Sequence, residues 1–403
     1  MPPTLDTSAI VLALGFVGWF VLRGLLYSPH QRTLSSLYQS LGRILSPRGL
    51  PDYTKLTGFP APRPLYHFDI DSAKPRPYRP FRWKYHQNMA LKKLEADWWL
   101  ELESTYRARI TQRRKLFADH GKLIIDELPG SEAASRECMQ MVIQYLCQRY
   151  PNQFQYDNWT GIFTNRILGS KTNITTVHPL MFLLDNVPED FTITQQDKET
   201  GLYHLTASVT CSAVGWNLGD KIGKPLSQIH GPVPDYKEKM EFSMNRYFSK
   251  MPCDKPIQRG SWDLVVGEPL FLQTNSPFWI DHTRQDPNLQ LSDIYLRVDW
   301  QTLRRMPQSR AILFNFKAIF TPLAALRREP YIPKLLLKVL TEGRRSILEY
   351  KGTRRIEHKV IPALREWTRE QEEKGWIPKD WKEKTLDEDP FYPGWKDHYP
   401  IQD

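Results

Sequence analysis

At 403 residues, with 40% hydrophobic and 25% charged side chains, the chain has an ordinary globular composition and enough apolar residues for one large core or two. Its net charge of +10 is scattered in pairs such as Arg304-Arg305, Arg327-Arg328, Arg344-Arg345 and Arg354-Arg355. With no RNA-binding aromatic motif and no zinc-finger spacing, this charge argues against a nucleic-acid partner and for a solvated basic surface, one able to face anionic lipid. The four cysteines, Cys138, Cys147, Cys211 and Cys253, form no CxxC pair or zinc-like set, so they read as small buried hydrophobes in a reduced compartment.

The run from Ser8 to Leu22 is uncharged, and the apolar character resumes from Gly24 to Tyr27. This is about one membrane helix in length, with Arg23 able to snorkel to the interface. No Lys or Arg precedes the run, whereas Arg23, Arg32, Arg43, Arg48 and Lys55 come after it. The expectation is an anchor over residues 1–30 that enters the membrane through residues 8–27. The protein is then single-pass, at the endoplasmic reticulum, with its body in the cytosol. A cleaved signal peptide fits less well, because the run lacks a basic leader and a small-residue cleavage site. The sequons at Asn158 and Asn173 would then go unused.

Residues 31–87 read as a proline-rich linker and extended arm, with Arg76 to Trp83 draped over a body. The body is expected over residues 88–375. Its first helix should run from about Asn88 to Arg114, broken near Ser104-Thr105, with Trp98, Trp99 and Leu102 inside. A second helix runs from Ser131 to about Arg149 and stops at Pro151. Phe191 and Ile193, then Tyr203 through Cys211, alternate with polar residues around an Asp197–Gly201 turn and predict a hairpin. Further strands are expected at 262–266, 294–301 and 310–320, then helices at 333–350 and 353–374, and a charged, solvated tail over 376–403. Strands gathered between helical blocks give an α+β fold.

The strand from Ile294 leads into a basic turn at Arg304-Arg305 and a returning strand. Its two-residue period places Tyr295, Arg297, Asp299 and Gln301 on one face, a polar set suited to a pocket wall. Arg297 can equally serve only to pair with Asp299. His230 precedes a stiff Gly-Pro-Val-Pro stretch, which suits an axial haem ligand, a catalytic base or a hydrogen-bonded loop histidine; His282 shares this ambiguity. No dinucleotide turn, P-loop, HExxH or GxSxG is present.

Several motifs keep a shared order over about residues 60–330: Met89 to Leu94 with Trp98 and Leu100; Trp216 with Lys221 and Gly223; Ile229-His230 with Pro232-Val233-Pro234; Asn245 to Phe248; Pro256 to Arg259 with Trp262; and Arg297 to Pro307 continuing to Phe314. By these the chain resembles the haem-dependent oxidative N-demethylase α-subunit-like family, including its fungal HRQ members. The resemblance implies a PAS-like antiparallel sheet wrapped by helices, one haem b with its iron, and oxidative demethylation of a small organic substrate such as an amine. Electrons would come from a partner reductase. It also implies His230 as axial ligand and Arg297 and Gln301 as pocket residues, able to contact a haem propionate or order iron-bound oxygen. The family pattern commonly has an acidic residue and then Arg just before the Gln; here Asp299-Trp300 stands instead. A non-catalytic haem or small-molecule sensor and a haem-free scaffold are the alternative expectations.

Overall fold

The computed structural model describes residues 49–86, 88–279 and 284–399. The chain divides into Met1–Gly49 and Leu50–Asp403, and both sheets and their helices belong to the second unit. The described strands are β1 (Lys92–Lys93), β2 (Ile125–Glu127), β3 (Phe154–Asp157), β4 (Ile162–Asn165), β5 (Ser170–Asn173), β6 (Asp190–Gln196), β7 (Tyr203–Val209), β8 (Ile257–Val266), β9 (Ile294–Arg305) and β10 (Ile312–Pro322). Seven form one sheet in the order β1-β8-β9-β10-β6-β7-β2, with every neighbour antiparallel. The other three make a small meander, β3-β4-β5, which the sequence reading missed. The α+β expectation holds as a mixed fold of antiparallel sheets and helices.

The register across β8, β9 and β10 runs unbroken from the Ile257–Leu303 pair to the Val266–Ile294 pair. Side chains on β9 therefore alternate strictly. The even positions Leu296, Val298 and Trp300 face the back, where they meet the helices Ile332–Glu342 and Arg354–Glu373 through Leu336, Val339, Val360 and Leu364. The helix Glu132–Arg149 and Phe191, Ile193, Ala207, Val209 and Leu313 share a second back-face core. At burial energies of about 25 cal/mol per Å² of apolar surface, these two clusters dominate the stabilisation of the sheet. The front carries a smaller cluster at one end only, where Leu226, Tyr236, Met240, Met244 and Phe248 cover Ile257, Leu303 and Ile312.

Several expectations are corrected. The stretch from Asn88 is not helical: Ala90 has a φ of 53°, and Lys92 and Lys93 pair with Gln258 and Ile257 as an edge strand. The helix starts only at Tyr106, after Glu103 accepts hydrogen bonds from Thr105 N (2.8 Å) and Oγ1 (2.5 Å). The expected helix over 333–350 is two, Ile332–Glu342 and Arg345–Tyr350. They part at Gly343, where a Cβ would collide with Val339 O and only glycine fits. The C-terminal segment is seated rather than solvated, with Leu386, Phe391, Tyr392 and Trp395 buried. Phe391 stacks on both Trp395 and Tyr78.

The basic turn is also inward-facing. Arg304, on the back, lies over Trp99 at 4.0 Å; Arg305, on the front, donates to Met251 O and Arg310 O at 2.6 Å each. Both are buried, so neither belongs to a solvated basic surface. Backbone N–H groups of Gln308 and Ser309 fix the turn by donating to the Glu137 carboxylate at 2.7 and 2.8 Å.

The membrane helix expected over residues 8–27 lies outside the described residues. Among the described residues no helix is long and apolar enough to cross a membrane. The longest, Arg354–Glu373, has charged residues along its exposed side and buries the other against the sheet. On this finding the single-pass membrane placement is corrected and carries no further weight.

Candidate cofactor cleft

Three successive rows of the front face define the site. Arg259, Gln301 and Phe316 stand side by side on β8, β9 and β10; Ser261, Asp299 and Ala318 form the next row, and Asp263, Arg297 and Phe320 the third. A central strand covered on both faces reads as apolar. Here the covered back is mostly apolar, while Arg259, Ser261, Asp299, Gln301 and Phe320 on the front remain partly exposed. The front is thus a partly open polar floor on β8 and β9, beside β10 residues of which Phe316 and Ala318 are buried and Phe320 is half-open.

Arg297 and Gln301 do share one face, as the two-residue period requires. Their environments differ. Arg297 is buried and fully engaged: Nε donates to Asp299 Oδ1 at 2.9 Å, Nη1 to Pro269 O at 3.2 Å and Nη2 to Ser212 O at 3.0 Å. It fastens two connecting segments to the strand. Gln301 stays partly exposed on this face.

His230 ends the short helix Leu226–Ile229, whose Leu226 belongs to the front-face cluster. The His230 ring lies flat against Tyr236, with centroids 5.0 Å and planes 12° apart. Its Nδ1 is 2.8 Å from Leu226 O. A carbonyl only accepts, so Nδ1 carries the hydrogen and Nε2 keeps its lone pair. Burial, with help from the charges of Lys221 and Arg259, pushes the imidazole pKa down to about 4 and leaves the ring neutral. His282 lies outside the described residues.

Two cations flank this histidine. Lys221 donates to Ile229 O at 3.3 Å, sits 4.4 Å over the Trp216 ring, and has its pKa lowered by burial. Arg259 has its Nε shut away from solvent without a hydrogen-bond partner, and burial beside Arg82 lowers its pKa to about 10. Sequence reasoning placed Arg259 within a motif but gave it no role. The two-residue period running from Ile257 through Arg259, Ser261 and Asp263 places it on one face with them; that Gln301 stands opposite comes from the strand register.

The residues present fit a haem. One neutral imidazole nitrogen is free for an iron, a cation whose Nε lacks a partner stands by for a carboxylate, and Phe320 offers a partly open apolar surface. Among the described residues no three His, Cys, Asp or Glu side chains gather as a metal site. A porphyrin-held iron needs only one protein ligand.

The family model described as "Haem-dependent oxidative N-demethylase, alpha subunit-like" matches residues 90–361, more than half of the chain. The match contains β1 through β10 with His230, Arg259, Arg297 and Gln301.

Proposed function

We propose that this chain, which belongs to the haem-dependent oxidative N-demethylase, alpha subunit-like family, is an oxidoreductase that holds haem b against the front of β8–β10 in a PAS-like arrangement. One observation carries the reading: a neutral, Nδ1-anchored His230 stands near Arg259, whose Nε lacks a partner, beside a polar, partly open strand. His230 is the axial ligand in this reading, with Leu226 O fixing its tautomer and ring orientation.

Haem iron, when bound, supplies the activation of dioxygen. The protein's own groups do the rest. Asp299 gives one oxygen to Arg297, remains partly exposed, and can pair with a protonated amine. Gln301 offers an amide donor and acceptor one row along, within reach of a polar group at the reacting centre. Phe320, half-open at the β10 edge of this face, gives the apolar part of the substrate a surface to pack on. Arg297 is a positioning residue that holds Asp299 and the 212 and 269 segments together.

The substrate class is an organic amine bearing an oxidisable C–H beside nitrogen. Oxidative demethylation removes two electrons from that methyl group and releases it as an aldehyde. Dioxygen takes up those two electrons and two more, with two protons, from a partner reductase. One oxygen atom ends in the aldehyde and the other in water.

The full-length protein supplied with haem should show a Soret band, and His230→Ala should shift or abolish it. A folded wild-type protein without a Soret band overturns the haem reading; an unchanged spectrum in the variant rejects His230 as ligand. Loaded protein given a reductase and N-methyl amines should release formaldehyde. Binding without any oxygen consumption across such amines would favour a sensor.

A further inference from the structure

We propose that Arg259, rather than Arg297, is the cation that binds a carboxylate side chain of the haem. The inference rests on the haem reading above and assigns a residue within it.

The two arginines occupy the same face of the sheet, two rows apart, and differ in what already holds them. Arg297 spends all three of its guanidinium nitrogens on Asp299, Pro269 O and Ser212 O. Recruiting it to an incoming carboxylate means breaking bonds that tie two segments to β9. Arg259 has no hydrogen bond or ion pair with any described residue, and its Nε is enclosed. The one charge that acts on it appreciably is of its own sign, that of Arg82, which is itself paired with Asp389 at 3.4 Å. No carboxylate on its own strand row relieves it, since the neighbours across β9 and β10 are Gln301 and Phe316.

A guanidinium whose Nε is enclosed without a partner carries a desolvation cost in the empty protein, even with its other nitrogens partly open to solvent. Such an arrangement persists where a ligand supplies the missing anion. A guanidinium offers paired N–H donors matched to a carboxylate, so the expected partner is a carboxylate rather than a neutral acceptor. Arg259 lies beside Gln301, one row from the Ile257–Leu303 pair that Leu226 of the His230-bearing helix covers, so one ligand can reach both.

The test compares haem with its dimethyl ester, which keeps the iron and ring but removes both negative charges. Full-length apo-protein is titrated with each, and binding is read from the Soret absorbance. Wild type should favour haem over the ester by roughly tenfold or more, the scale of one charge-assisted hydrogen bond. Arg259→Gln should weaken haem by a similar factor, leave the ester nearly unchanged, and so erase the preference; Arg259→Lys should restore part of it. Denaturant unfolding of the apo-variant supplies a fold control: because Arg259 has no partner, Arg259→Gln should unfold at an equal or higher midpoint than wild type. Equal binding of haem and ester by wild type overturns the proposal. So does an Arg259→Gln variant that keeps the full preference, or one that loses haem and ester equally. Absence of a Soret band with either compound overturns instead the haem reading beneath it.

Discussion

Tyr78 lies flat against Trp300, with ring centroids 3.8 Å and planes 10° apart. The contact locks the arm that precedes the sheet onto the back of β9, while the front of the same strand carries Asp299 and Gln301. Gly260 completes the joint, since a Cβ there would stand 2.8 Å from the Pro80 ring and 3.1 Å from Trp300. Trp300 is the position where the chain departs from the family's acidic-Arg-before-Gln pattern, and it faces away from the cleft.

Trp300→Arg therefore tests packing rather than pocket chemistry. It should set a buried guanidinium against Glu189 in place of the stacked indole and lower stability by about 1–4 kcal/mol, since a buried ion pair seldom offsets its desolvation. Tyr78→Ala should cost about 3–5 kcal/mol by truncating a buried aromatic. Both are read from urea midpoints; a tolerated Trp300→Arg would show that the back of β9 is not packed as described.

Arg297→Gln should destabilise the protein by about 2–4 kcal/mol, because Ser212 O and Pro269 O lose their donor and Asp299 its partner. Arg297→Lys should recover only part of this, since an ammonium cannot reach three acceptors spread across a planar fork. Full recovery by lysine would contradict a role built on that geometry.

The His230 imidazole is depressed from its ordinary 6.5 to about 4 in the folded apo-protein. Between those values the unfolded chain binds a proton that the folded chain refuses. Its contribution to stability is complete above about pH 6.5 and is lost as pH falls toward 4. Allowing for the partial exposure of the ring, the loss is on the order of 2 kcal/mol. His230→Gln should flatten the stability profile across this window; an unaltered slope would refute the burial argument.

Glu189 slopes the other way. It is buried behind the sheet, where desolvation raises its pKa from 4.5 to about 7, and its Oε2 has no hydrogen-bond partner. It shares a small cavity with Trp300, whose Nε1 is likewise unpartnered. Here the folded state keeps a proton that the unfolded chain releases, so stability falls as pH rises from 4.5 to 7. Glu189→Gln should raise stability by on the order of 2 kcal/mol at pH 8 and change little at pH 4.5. Equal effects at both pH values would rule this out.

The periodic features of the sequence survived folding because their causes are local. The hairpin of β6 and β7, the helix Glu132–Arg149 and the shared face of Arg297 and Gln301 all come from alternation, helical spacing and turn residues. What sequence reasoning misplaced depends on distant partners. Lys92 and Lys93 leave helical spacing because Gln258 and Ile257 offer an open sheet edge, and Arg304 and Arg305 turn inward because Trp99, Met251 O and Arg310 O receive them. The sequence by itself determined the α+β character, the family, and which strand carries the polar face. Only the tertiary structure decided which arginine on that face is free. An ion's availability is fixed by the groups folded around it: Arg297 meets Ser212 O, Pro269 O and Asp299, whereas Arg259 meets no partner among the described residues and carries its charge against another of the same sign.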